Sequence, residues 1–74
     1  MAKTKSRVRN RVRELRFQHG EMTQQQLAKM IGVARQTIIA VEQGKFCPSL
    51  ESALRFERVF DVPVSGIFTL EEPD

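Results

Sequence analysis

The chain has 74 residues, which limits it to one domain, residues 1–74. Hydrophobic residues make up 41% and charged residues 28% of it, which excludes a disordered chain, and no apolar run is long enough to span a membrane. A single cysteine and a single histidine exclude a disulfide framework and a metal cluster, so we expect no metal, no cofactor and a reducing, cytoplasmic location.

Positive charge is concentrated at the N-terminus. Residues 1–19 contain seven Lys or Arg and one acid, whereas residues 20–74 contain five bases and eight acids. This asymmetry indicates a site for a polyanion at one end of the molecule or, alternatively, a solvated helix face with a polar tail. We expect a flexible basic segment at residues 1–5 and an acidic tail at residues 69–74.

A first helix is predicted over residues 6–18. Val8, Val12 and Leu15 recur at helical spacing and would form one apolar stripe, with the Arg residues on the other faces. Gly20 ends this helix, because glycine adopts the left-handed conformation that commonly follows a helix.

A second helix begins with a strong N-terminal signal. Thr23 can cap it while Gln26 reaches back, the reciprocal arrangement of a capping box. Gly32 ends the helix after about two turns. A third helix is predicted over residues 35–43.

A fourth helix is predicted over residues 50–60, between the favourable N-cap Ser49 and Asp61, which can adopt the left-handed conformation that follows a helix. Its apolar residues cover a wide arc, which indicates a central helix or one shared with a partner. A last short turn is expected from Pro63 to Ile67, and residues 67–70 have strand propensity. These elements predict an all-α fold, a compact bundle of five short helices with at most a short C-terminal strand.

The most informative segment runs from Gln24 to Gln43, with the sequence QQQLAKMIGVARQTIIAVEQ. Two short helices are joined there by a turn containing Gly32, and Ala28 is small enough to let them cross closely, the spacing of a helix-turn-helix. The chain resembles the lambda-repressor-like helix-turn-helix proteins of the Cro/phage-repressor (XRE) family, in particular their small stand-alone bacterial regulators. The resemblance covers residues 9–72 through the segments RVRELR, MTQQQLAKMIGVARQTIIAVEQGK, PSLESALRFERVFDVP and IFTLEE.

The resemblance implies a mode of DNA binding in which the second helix abuts the backbone and the third lies in the major groove. It assigns base reading to four residues of the third helix: Arg35, Gln36, Thr37 and Ala40. An arginine fork pairs with guanine O6 and N7, and a glutamine amide pairs with adenine N6 and N7. Ala40 offers only a methyl group, so we expect weak reading at its position.

The resemblance also assigns roles outside the base-reading residues. Gln24, at the start of the second helix, and Lys45, after the third, are expected to contact phosphates. Arg16 and Glu42 match an ion pair that joins the first and third helices in relatives, a structural role. Ala34 departs from the family pattern, because it stands at an N-cap where Ser or Thr is usual and alanine costs about 1 kcal/mol.

The predicted function is sequence-specific binding of double-stranded DNA by a transcriptional regulator that represses by occluding a promoter or, alternatively, activates. Two alternatives use the same unit: an antitoxin and a controller of a restriction-modification system. A third is a protein-interaction module without DNA binding, which would be expected to carry acids where Arg35 and Gln36 stand. No nucleophile–base pair, carboxylate pair or phosphate loop is recognisable, so an enzyme is not expected.

A symmetric homodimer is expected, because so small a chain gains from extra burial. Leu54 and Val59 give the fourth helix more apolar surface than one small core needs, and Phe68 and Leu70 lie in a strand that could pair with a twofold-related copy. Such a dimer would bind an inverted-repeat operator. A monomer with a solvated acidic tail is the alternative.

Overall fold

A computed structural model describes residues 7–71, which form five helices and a two-stranded sheet. The prediction of a helical bundle is confirmed, with the short C-terminal strand present. The predicted flexible segment at residues 1–5 and the end of the acidic tail lie outside the described residues. In chain order the elements are β1 (Val8–Asn10), α1 (Val12–Gln18), α2 (Gln24–Ile31), α3 (Arg35–Glu42), α4 (Leu50–Phe60), α5 (Val64–Ile67) and β2 (Phe68–Leu70).

The N-terminal segment is the main departure from the predicted elements. The first helix begins only at Val12, so its predicted start at residue 6 is wrong, and strand β1 precedes it. Arg and Val alternate in that segment, and this period of two fits a strand as well as the apolar spacing fits a helix. Antiparallel pairing with β2 favours the strand. The register places Val8 opposite Leu70, Arg9 opposite Thr69 and Asn10 opposite Phe68.

Asn10 fixes the junction between β1 and α1. Its side-chain oxygen accepts a hydrogen bond from Val12 N–H (3.1 Å), and its side-chain nitrogen donates to the carbonyl oxygen of Val41 (2.8 Å) near the end of α3. The first bond satisfies an N–H at the start of a helix, where no backbone partner exists. The second bond ties the strand to α3.

We expect Asn10→Ala to lower the free energy of unfolding by about 1–3 kcal/mol, because it leaves the Val12 N–H without a partner and removes one of the two donors to Val41 O. Thermal unfolding measures the loss. Gln25→Ala is the matched control, since Gln25 is exposed on α2 and its side chain makes no hydrogen bond within residues 7–71. Equal melting temperatures for the two variants would contradict the role given to Asn10.

Strand β2 pairs within its own chain. The expectation of an orphan strand that needs a twofold mate is wrong, because β1 supplies the partner. A further backbone bond, from Glu71 N–H to Arg7 O (2.7 Å), extends the pairing by one residue on each side. Thr69 and Leu70 therefore belong to the sheet rather than to a tail.

The helix-turn-helix region follows its sequence signals closely. Gln26 N–H donates to Thr23 Oγ1 (3.0 Å), and Thr23 N–H donates to the side-chain oxygen of Gln26 (2.8 Å), which completes the predicted capping box. Gly32 ends α2 at φ 88°, a left-handed value that strains other residues. Ala34 begins α3 without a side-chain cap, as its residue type predicts.

Helix α4 has the predicted caps at both ends. Ser49 Oγ accepts a hydrogen bond from Ser52 N–H (3.1 Å), and Asp61 adopts the left-handed conformation (φ 59°) after the last turn. Pro63 is the N-cap of α5 rather than its first helical residue, and Gly66 lies inside that single turn.

The apolar arc of α4 is divided between the core and the surface. Val59 packs against the core, so the idea that it is surplus to one core is wrong. Leu54 is 49% exposed and Leu50, one turn earlier, is 75% exposed, and residues four apart lie on the same side of a helix. The buried face of α4 consists of Ala53, Phe56 and Phe60.

An aromatic cluster connects α4 with the sheet. The ring centroid of Phe56 lies 6.3 Å from that of Phe60 and 5.3 Å from that of Phe68, with the last pair edge to face. Phe68 is half-buried and packs against Phe56 of its own chain, and its contact with a second copy stays a prediction. The buried cluster comprises Val12, Leu15, Leu27, Ala28, Ile31, Ile38, Val41, Phe56, Phe60 and Ile67.

Candidate nucleic-acid interface

The outer face of α3 carries the residues that the resemblance assigns to base reading. Arg35 and Gln36 are exposed in its first turn, and Thr37 and Ala40 are half-buried. Within residues 7–71, no hydrogen bond or ion pair engages the side chains of Arg35 or Gln36. The donors of both side chains are therefore available to an external partner.

The inner face of α3 holds the helix in place. Ile38 and Val41 are 0% and 2% exposed in the core, and Asn10 bonds the carbonyl of Val41. At about 1.5 Å per residue, α3 is about 12 Å long, so Arg35 and Glu42 mark two well-separated ends. A packed and bonded helix fixes the positions of its exposed side chains, which is what recognition of a shaped partner requires.

A buried ion pair connects α1 with α3. Arg16 donates from Nε to Glu42 Oε2 (2.6 Å) and from Nη2 to Glu42 Oε1 (3.1 Å), the pair that the resemblance implies. Each side chain is 8% exposed. Arg16 Nη1 also donates to Met22 O (2.7 Å), and Gln24 Nε2 donates to Glu42 Oε1 (3.2 Å). The network therefore links α1, the start of α2 and the end of α3.

Phe17 covers part of this network. The guanidinium carbon of Arg16 lies 5.2 Å from the Phe17 ring centroid, and that of Arg13 lies 5.4 Å from it, distances at which a cation–π attraction operates. Sequence reasoning missed this residue. Its 51% exposure would otherwise make it an ordinary surface aromatic.

The two residues assigned to phosphate contact lie near the C-terminal end of α3. Gln24 uses one of its two side-chain N–H groups on Glu42, which leaves the other available. Lys45 is exposed in the loop after α3. Within residues 7–71, the backbone N–H groups of Gln24 and Gln25 meet no acceptor, and such groups at a helix start attract anions.

Two N-terminal arginines are paired with acids of the same chain. Arg11 Nη2 lies 3.1 Å from Glu14 Oε2, and this hydrogen bond together with the positive charge lowers the pKa of the Glu14 carboxyl. Arg9 Nη2 lies 3.3 Å from Glu71 Oε2. The basic character of the N-terminus is thus partly neutralised within the fold, which a count of charges along the sequence does not show.

The remaining predicted residues lie on other surfaces. Leu54 is on the outer side of α4, and Leu70 is exposed at the end of β2.

In the described part of the chain no helix is long and apolar enough to cross a membrane. Across residues 7–71, no three His, Cys, Asp or Glu side chains are grouped so as to hold a metal ion.

Comparison with known proteins agrees with this arrangement. A family model described as helix-turn-helix matches residues 12–67. An uncharacterized HTH-type transcriptional regulator of Archaeoglobus fulgidus is 42% identical over 67 residues, which cover 90% of this chain and 94% of the relative. An uncharacterized HTH-type transcriptional regulator of Bacillus subtilis, YgzD, is 40% identical over 65 residues, which cover 88% of this chain and 97% of the relative.

A solved structure is similar to this chain in both fold and sequence. The restriction-modification controller protein C.AhdI from Aeromonas hydrophila is 32% identical and superposes with a TM-score of 0.68. The match covers 76% of this chain and 83% of that one. The matched family model extends from the first residue of α1 to the last residue of α5. The chain belongs to the XRE-type helix-turn-helix family.

Proposed function

We propose that this protein is a transcriptional regulator that binds double-stranded DNA at specific sequences through α3. The observation that carries the proposal is the contrast between the two faces of that helix. Its inner face is fixed by burial and by the Asn10 bond, while Arg35 and Gln36 project outward without a partner in the described chain. The names of the archaeal and bacterial relatives support the same function.

Each of the four residues assigned to base reading has a defined task in this proposal. Arg35 donates two hydrogen bonds to guanine O6 and N7, and Gln36 makes the paired contact with adenine N6 and N7. Thr37 and Ala40 contact thymine methyl groups or the adjacent backbone. Lys45 and the free N–H groups at the start of α2 bind phosphates, which position the helix without reading sequence.

Repression by occlusion of a promoter is the simplest mode of action for a chain of this size, because steric exclusion requires only DNA binding. We place this activity in the cytoplasm, where the DNA of bacteria and archaea lies. A second candidate role is control of a restriction-modification system, which the similarity to C.AhdI favours.

Selection from a pool of random duplexes tests the proposed function. The purified protein is incubated with the pool at fixed salt, and the bound DNA is sequenced. The proposal expects enrichment of one motif, since direct readout distinguishes the four base pairs in the major groove. Recovery of the input distribution after repeated rounds would contradict it.

We further propose that the protein binds DNA as a symmetric homodimer on an inverted repeat. The support now comes from α4 alone, because β2 is paired in its own chain. Leu50 and Leu54 form an exposed apolar stripe on that helix, and burial of apolar area against a second copy would stabilise so small a domain. Two copies would present their α3 helices to half-sites about 10 bp apart, or multiples of that distance.

We expect Leu54→Glu to shift the protein from dimer to monomer, because it places a charge in the apolar stripe. Sedimentation equilibrium of the free variant measures the change. Met30→Glu is the matched control, since Met30 is a comparably exposed apolar residue, 56% exposed, on α2. A monomeric mass for the unmodified chain, both free and on DNA, would contradict the dimer.

A further inference from the structure

A cleft of about 550 Å³ lies between strand β1 and the end of α3. Its walls carry two cationic side chains, Arg9 from the strand and Lys45 from the loop after the helix. Gln43 and Gly44 also line the cleft. The structure places Arg9 in the lining of the same cleft as Lys45, a residue expected to contact phosphate.

The fold determines the position of Arg9. Asn10, the next residue, donates a hydrogen bond to Val41 O (2.8 Å) and so attaches β1 to α3. Pairing of Arg9 with Thr69 in β2 holds the strand from its other edge. The cation is therefore carried by a fixed strand rather than by a loose N-terminal arm.

The charges around the cleft leave it cationic when DNA approaches. Glu42 lines the cleft, but its two carboxylate oxygens are engaged by Arg16 and Gln24. Glu71 is the other acid, and its Oε2 lies 3.3 Å from Arg9 Nη2. That pair is 69% and 53% exposed, and exposed ion pairs are weak and easily screened.

We propose that this cleft is a phosphate-binding site for the DNA backbone, in which Arg9 and Lys45 hold one phosphate and Glu71 competes with it for Arg9. The inference rests on the proposed function and adds to it a phosphate-binding residue, Arg9, and a carboxylate that competes for it, Glu71. Arg9 contacts Glu71 in the free protein and exchanges that carboxylate for a phosphate on DNA. Glu71 thereby weakens the part of DNA binding that depends on phosphate contacts rather than on base sequence.

Salt dependence of DNA binding tests the site. A duplex of random sequence is titrated with the full chain between about 50 and 200 mM salt, where each phosphate contact contributes about 0.9 to the logarithmic slope. Arg9→Gln is expected to reduce the magnitude of that slope by at most about 0.9 for each copy bound, because Lys45 still contacts the same phosphate. Lys29→Gln is the matched control, because Lys29 is exposed on α2 outside the cleft and should leave the slope unchanged.

Glu71→Gln is expected to change DNA affinity in the opposite direction from Arg9→Gln. It should raise affinity, most at low salt, and this gain should disappear in the double variant with Arg9→Gln. Glu57→Gln removes an acid from α4, away from the cleft, and reports the general effect of one negative charge. Circular dichroism of each variant verifies that the helices are intact.

The outcomes separate this site from the proposed function. A wild-type chain that binds no duplex overturns both proposals. A wild-type chain that binds, with the same salt slope after Arg9→Gln, overturns the cleft alone. An equal gain from Glu71→Gln with and without Arg9 would overturn the competition between carboxylate and phosphate.

Discussion

Glu42→Ala is expected to lower the free energy of unfolding by about 3–5 kcal/mol, the cost of leaving a buried charge without its partner. The Arg16 side chain is 8% exposed, and within residues 7–71 it would retain only the carbonyl of Met22 as a hydrogen-bond acceptor. Gln24 would also lose its acceptor. Chemical denaturation followed by circular dichroism measures the change.

Glu57→Ala is the control for this variant. Glu57 is a glutamate on α4 whose side chain makes no hydrogen bond or ion pair within residues 7–71, so its removal should change stability by less than about 0.5 kcal/mol. A double variant with Arg16→Ala should lose less than the sum of the single losses, because the two side chains interact. Equal stability of Glu42→Ala and Glu57→Ala would mean that the ion pair contributes nothing.

Arg35→Ala and Gln36→Ala are each expected to weaken binding to the selected operator by about 1–3 kcal/mol, the value of one bidentate base contact. Both side chains are exposed and unpaired in the described chain, so the melting temperature should not fall. Fluorescence anisotropy with the operator and with a random duplex separates loss of specificity from loss of general affinity.

Lys29→Ala serves as the control for charge in this series. Lys29 is an exposed residue of α2, and its replacement by alanine removes one positive charge, as Arg35→Ala does. We expect it to leave the affinities for the operator and for the random duplex close to those of the wild-type protein, because Lys29 is assigned no DNA contact. Unchanged operator affinity in both α3 variants would assign base reading to another surface.

Structural features that depend only on neighbouring residues could be predicted from the sequence. The capping box of Thr23 and Gln26 spans three positions, and the left-handed ends at Gly32 and Asp61 follow from single residue types. Such features are visible locally because their energies arise within one turn of helix. The helix boundaries of α2 and α4 were accordingly close to those observed.

Structural features that depend on contacts between residues far apart in the chain could not be predicted from local sequence patterns. Residues 8–10 can form a strand or a helix, and only their pairing with residues 68–70 favours the strand. The bond from Asn10 to Val41 and the pairing of Arg9 with Glu71 join positions far apart, so no local spacing indicates them. The Arg16–Glu42 pair was accessible only through resemblance to a family in which it recurs.

Methylation interference at guanine N7 tests the central claim, that α3 reads DNA in the major groove. Guanine N7 faces that groove, so its methylation should block binding of the wild-type protein at one guanine in each half-site of the selected operator. Arg35→Ala should bind more weakly and no longer distinguish the methylated guanine. Interference that is unchanged in Arg35→Ala, or confined to methylated adenine N3 in the minor groove, would contradict the claim.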